Sequence, residues 1–196
     1  MLAQVVLFDG FDPLDAIGPY ETLAAGGVHT ELVSAEGPRE VESGARLSLR
    51  ATAALTPDQA GIVLVPGAAG LTEDEIVPLL AKAANTLAEP MKQALGEHGV
   101  TVATVCGGSL VLAMAGLIGG RSATTNHLGL QALESTGVNA IRARIVDDGD
   151  LVTAAGVTSG VDLGLYLLER EVGAQKALEV ETLFAHERRG TAWRAA

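Results

Sequence analysis

Cysteine, aromatic side chains and positive charge are all scarce in this sequence. The one cysteine, Cys106, cannot close an internal disulfide, so the chain is expected in a reducing compartment, the cytoplasm. Histidines stand only at 29, 98, 127 and 186 and form no Cys/His ligand spacing, so neither a metal nor another cofactor is expected. Aromatics make up 3%, leaving few rings on which bases could stack. Lys and Arg number 13 against 24 Asp and Glu, and the net charge of −11 argues against nucleic acid and against an anionic membrane surface. No apolar run approaches the roughly 18 residues that a membrane-spanning helix needs. The N-terminal stretch lacks the basic start of a secretory signal and turns polar at Asp9, so it reads as a first strand.

What the sequence does have is aliphatic bulk. Hydrophobic residues reach 48% and charged residues 19% over 196 positions, enough for one globular domain with a real core. Strand and helix patterns alternate. Buried strands are expected over residues 4–8, 30–34, 61–65 and 101–105, with a hairpin around Gly44 and another about Asp147-Asp148-Gly149-Asp150. Helices are expected over 13–25, from Thr72 to His98 with a break near Pro90, and over 109–115, 124–136, 158–171 and 174–185. The pattern predicts an α/β fold, doubly wound, with a mostly parallel sheet sandwiched by helices. It forms a single domain over 1–187, with a short basic tail over 188–196.

Cys106 sits where the strand pattern Thr101–Val105 gives way to a helix pattern, followed by Gly107-Gly108. Glycines there permit a sharp turn and close approach of a neighbour. A thiol raised on such a turn, at a helix N-terminus, is biased toward the thiolate. The flanks alone leave two readings open, a reactive thiol and a small buried hydrophobe.

In a doubly wound sheet, sites lie beyond the carboxyl ends of the strands. Loops 9–15, 66–70 and 106–109 meet there. Asp15 is either a cap or a site carboxylate. Pro19, costly inside a helix, moves the expected helix start toward itself and leaves Asp15 in a turn. The loop Pro66-Gly67-Ala68-Ala69-Gly70 is either a plain turn or a set of unencumbered N–H donors. His127 is either a base or a local cap.

Several segments together resemble the DJ-1/PfpI superfamily: Leu14-Asp15-Ala16-Ile17-Gly18-Pro19, Val65-Pro66-Gly67, Val105-Cys106-Gly107-Gly108-Ser109-Leu110, the run 121–127, and Asp147 to Asp162. The similarity runs from about residue 4 to 185 and is greatest to the isocyanide hydratase branch, with a further resemblance to sensor domains of AraC-type regulators. It implies a flavodoxin-like fold of the class I glutamine amidotransferase type. It also implies Cys106 as nucleophile, Asp15 as its acidic partner, and a homodimer with the site near its interface. Gly67, Ala68 and Gly107 are the implied backbone donors, with Ser109, Thr125 and His127 as auxiliary candidates. The position after the cysteine is Gly107, where protease-like members carry histidine and hydratases threonine. The activity so implied is hydration of an isocyanide to an N-formamide. The alternatives are a glyoxalase- or deglycase-like reaction on small dicarbonyls using His127, and a non-catalytic redox sensor or small-ligand-binding domain. With about ten residues after the last expected helix, a complete transcription regulator of that type is not expected.

Overall fold

The computed structural model describes residues 1–195, so Ala196 of the expected tail lies outside the described residues. β1 (Leu2–Val6) runs into the turn before α1 (Pro13–Ala25). Asp12 caps α1, accepting from the N–H of Leu14 at 2.9 Å and of Asp15 at 3.4 Å, and Pro13 occupies the first turn, where no N–H is missed. α1 therefore starts at Pro13 and carries Pro19 in its interior, which corrects the expectation of a start near Pro19. Gly18 makes this possible. Having no Cβ, it avoids the clash that drives most residues before a proline out of the helical region. The cost is one hydrogen bond, since Pro19 has no N–H for the carbonyl of Asp15.

β2 (His29–Ser34), the hairpin β3 (Arg39–Glu42) and β4 (Ser48–Ala51), and the short β5 (Ala53–Ala54) follow. β6 (Ile62–Val65) is buried throughout and leads through loop 66–72 to α2 (Glu73–Gly96). Acidic residues fill the first turn of α2, where the helix dipole favours them, and the helix passes through Pro90 without the expected break. β7 (Thr101–Val105), again fully buried, leads to α3 (Gly108–Met114). The stretch expected to be a helix over 124–136 is broken up. It begins after β8 (Ser122–Ala123), makes a 3-10 turn at His127–Gly129, and becomes helical only in α4 (Leu130–Ser135). β9 (Asn139–Ala140), the hairpin β10 (Ile145–Asp148) and β11 (Leu151–Ala154), α5 (Ser159–Glu171), α6 (Ala174–Leu183) and β12 (Trp193–Arg194) complete the order.

The main sheet runs β12-β10-β11-β7-β6-β1-β2-β5, and every pair in it is parallel except β10 with β11. The tail thus adds the edge strand β12 beside β10. The chain leaves β1 toward β2 and leaves β6 toward β7, in opposite directions across the sheet. Helices α1, α5 and α6 pack together as one layer, and α2 and α3 as another. The sheet between them is almost wholly aliphatic, with Val5, Val6, Ile62, Leu64, Val102 and Val152 at its centre. The switch point lies between β1 and β6, with β7 adjacent, so the loops carrying Asp15, Gly67 and Cys106 open from neighbouring strands. No described helix is long and apolar enough to cross a membrane.

Candidate active site

Cys106 follows the last residue of β7 with φ at 55°, in the left-handed region that side chains with a Cβ avoid. The strain, on the order of 1–2 kcal/mol, is held from both sides of the peptide. The Cys106 N–H donates to Ala154 O at 2.9 Å. The Thr125 hydroxyl donates to Cys106 O at 2.7 Å. The side chain is therefore lifted off the strand axis by a turn that cannot relax.

Three glycines let the surrounding chain close on it. A Cβ on Gly108 would lie 2.1 Å from Val65 O, so α3 could not start where it does. A Cβ on Gly67 would come within 2.6 Å of the Gly107 nitrogen and 2.8 Å of Asp15 Oδ2. Gly67 thus fills the narrow space between the carboxyl and the elbow. Its N–H donates to Asp15 Oδ2 at 3.0 Å. The Gly107 N–H favours the charged form of the Cys106 thiol and pulls its pKa down. Ala68 pairs with Phe11 in an isolated bridge, and its N–H has no acceptor among the described residues. Of the three backbone donors expected, Gly67 is engaged with Asp15, while Ala68 and Gly107 have no hydrogen-bond acceptor among the described residues.

Asp15 is completely buried in the first turn of α1, and its Oδ1 has no hydrogen-bond partner among the described residues. Burial pushes its carboxyl up to about 8, and nearby Asp12 acts the same way, while the Gly67 N–H and the Cys106 thiol pull it back. Burial likewise pushes the Cys106 thiol up to about 12, aided by the Asp15 charge and opposed by the Gly107 N–H and the Asn126 side chain. The resting pair therefore holds its protons at neutral pH, and the expected thiolate bias is outweighed by burial. Oδ2 accepts from Gly67, which leaves Oδ1 as the unpartnered oxygen of the carboxyl.

The other sequence candidates are placed elsewhere. Ser109 is buried and ties β7 to the Thr124 loop, its hydroxyl 2.6 Å from the Thr104 hydroxyl and 2.6 Å from Thr124 O. Thr125 supports the Cys106 backbone and offers its hydroxyl to no reacting atom. His127 is exposed, lines a separate depression with Arg142 and Leu130, and is not among the groups that touch the sulfur. Its neighbour Asn126 is the partner that sequence reasoning missed. Asn126 Oδ1 accepts from Leu128 N–H at 3.1 Å, and the side chain acts to lower the pKa of the Cys106 thiol. The Thr-Thr-Asn entry to a helix was the available signal, and it reads equally well as a simple cap.

A strained cysteine at the end of a central strand, opposed by a buried carboxyl from the next loop, defines a class of α/β proteins with a cysteine elbow. The DJ-1/PfpI family model matches residues 1–170, and the chain belongs to that family. It is 35% identical over 181 residues to the isonitrile hydratase of Pseudomonas putida, covering 90% of this chain and 74% of that one. It is 28% identical over 187 residues to the HTH-type transcriptional regulator CdhR of Pseudomonas aeruginosa, covering 91% of this chain and 53% of that one. The crystal structure of a ThiJ/PfpI family protein from Pseudomonas syringae matches with a TM-score of 0.83 at 25% identity, over 96% of this chain and 76% of that one.

Proposed function

We propose that the protein hydrates an isocyanide to an N-formamide, with Cys106 as nucleophile and Asp15 as acid and base. The observation that carries this reading is a fully buried Asp15 carboxyl, its Oδ1 unpartnered, packed across Gly67 from the strained turn that holds Cys106. Similarity to an isonitrile hydratase supports it. The sulfur bonds to the terminal carbon of R–N≡C, and Asp15 delivers a proton to that same carbon while taking up the proton of the thiol. The product is a thioimidate, R–N=CH–S–Cys. Asp15 then directs water onto the CH carbon, the C–S bond breaks, sulfur recovers a proton, and R–NH–CHO leaves. The backbone N–H groups of Ala68 and Gly107, among the donors the resemblance implies, are proposed to polarise the intermediate.

The protein is further proposed to work as a cytoplasmic homodimer on a small molecule. Leu14, beside Asp15, is 47% exposed and is the apolar group a partner subunit would cover. The alternatives have less support. A dicarbonyl reaction needs His127, which faces another depression. A redox sensor needs an accessible, low-pKa thiol, and Cys106 is 9% exposed with its thiol pushed the other way.

The test is incubation with an alkyl isocyanide, following formamide by NMR, beside Cys106→Ser. Formamide from the native chain and none from the variant is expected. No formamide, or equal formamide from both, overturns the reading. Consumption of methylglyoxal in place of the isocyanide would move the assignment to dicarbonyl chemistry.

A further inference from the structure

Away from the elbow, a cleft of about 440 Å³ lies between α5, the β10 edge and the C-terminal strap. Four arginines, Arg144, Arg188, Arg189 and Arg194, line it against two carboxylates, Asp162 and Glu169. In a chain with 13 basic residues and a net charge of −11, this concentration of positive charge is anomalous. Both carboxylates are already occupied. Asp162, buried, accepts from Arg144 at 2.6 Å, from the Arg189 N–H at 3.2 Å, and faces His186 Nε2 at 3.0 Å. Glu169 accepts from Arg188, whose Nε also donates to Glu181 at 3.0 Å.

The guanidiniums are not all spent. Each has five N–H donors in a planar fork. The Arg189 side chain donates to no group among the described residues, although its backbone is fixed on Asp162. Arg194 gives only Nε, to the Tyr166 hydroxyl at 3.0 Å, and lies 5.5 Å from the Tyr166 ring centre. That contact holds the rest of its fork at the cleft. Arg144 directs Nε and one terminal nitrogen to Asp162 and Thr158 and keeps the other. Tyr166 and Ile145 line the same cleft.

We infer that this cleft binds a small organic oxyanion, a carboxylate or a phosphate monoester, on Arg189 and Arg194, with its carbon skeleton against Tyr166. Spare guanidinium donors on residues that line one cavity of this size suit a planar or tetrahedral oxyanion. The inference does not depend on the chemistry assigned to Cys106.

It is tested by titrating the full chain at low ionic strength with inorganic phosphate and, separately, succinate, read by amide chemical shifts. Saturable shifts confined to residues 188–194 and α5 are expected with at least one titrant. Phosphate alone would identify phosphate monoesters, and succinate alone carboxylates. Arg189→Ala should weaken binding about tenfold or more, and Arg189→Lys less. Arg189 is exposed, so both variants should fold. The rate of Cys106 alkylation, read in parallel, should not change. Absence of saturable shifts with both titrants, shifts centred on the elbow loops, or undiminished binding in Arg189→Ala would each overturn the inference.

Discussion

Two regions of the molecule are built on glycine, with opposite consequences. At the elbow, Gly67 and Gly108 let backbone approach backbone, and the result is a strained cysteine wedged against a buried carboxyl. Where α1 crosses α5, Gly164 accepts Thr22 and Gly160 accepts Pro19, and the result is close packing of two helices. A Cβ on Gly164 would meet Thr22 Cβ at 2.6 Å, and one on Gly160 would meet Pro19 Cδ at 2.9 Å. In the sequence the first set of glycines stands at strand ends and the second within a helical pattern. The difference lies in what the glycine faces: a buried carboxyl and the cysteine turn in one case, and inert carbon in the other.

The largest expected effect tests the elbow's chemistry. Asp15→Asn keeps an acceptor for the Gly67 N–H but removes the proton-transfer group, so isocyanide turnover should fall about 10²–10⁴-fold. The same variant should show a stability effect of opposite sense. Folding raises the Asp15 pKa from 3.8 to about 8, so the folded chain binds more protons than the unfolded chain within that window. The favourable contribution is complete below 3.8 and is lost as pH rises through about 8. Asparagine has no such slope. Asp15→Asn should therefore become more stable relative to the native chain as pH rises across the window, by an amount on the order of a few kcal/mol. Denaturant midpoints at the two ends of the window measure it. A pH-independent difference would mean that Asp15 is not protonated by burial.

The next effect separates position from composition. Gly67→Ala adds one methyl group, which must displace the Gly107 peptide or the Asp15 carboxyl. A displacement near 1 Å at reacting groups costs about 10²-fold in rate, so turnover should drop by that order. Thermal melting should shift less than in a core-packing variant. Turnover close to native would show that the gap between Gly67 and the elbow is not what aligns the pair.

Gly164→Ala tests the other region. The added methyl group meets Thr22 Cβ, which is no flexible side-chain end, so the helices must separate. Overpacking of this kind costs about 1–3 kcal/mol. A lowered denaturation midpoint with near-native turnover is expected. A specific loss of turnover without loss of stability would mean that the crossing of α1 over α5 sets the placement of Asp15.

How far the sequence could be read follows the same division. Long buried runs such as Ile62–Val65 and Thr101–Val105 declare themselves, and so does the cysteine between a strand and two glycines. The loops that meet at the switch point follow from strand alternation alone. Pro19 misled because its tolerance depends on Gly18 before it and on Gly160 across the interface, a contact between residues far apart in the chain. The edge strand at Trp193–Arg194 is too short to carry a periodic signal and exists because β10 offers it an edge. The raised pKa values of Asp15 and Cys106 were hidden for a similar reason. A helix N-terminus is visible in a sequence, whereas the depth of burial that outweighs it depends on the whole fold.

The smallest effect belongs to Gly18→Ala. A Cβ there would lie 3.5 Å from the Val161 nitrogen and 3.6 Å from Val161 Cγ2, ordinary contact distances. Alanine in place of glycine inside a helix is worth up to about 1 kcal/mol. Against this stands the clash between the new Cβ and the ring of Pro19, which the glycine avoids. The two effects oppose each other at the same residue, so the net change in stability should stay below about 1 kcal/mol, with turnover unaffected. Chemical denaturation of Gly18→Ala beside Gly164→Ala reads the contrast directly. A loss for Gly18→Ala as large as that for Gly164→Ala would show that the proline-induced constraint, and not the approach of the two helices, governs the crossing.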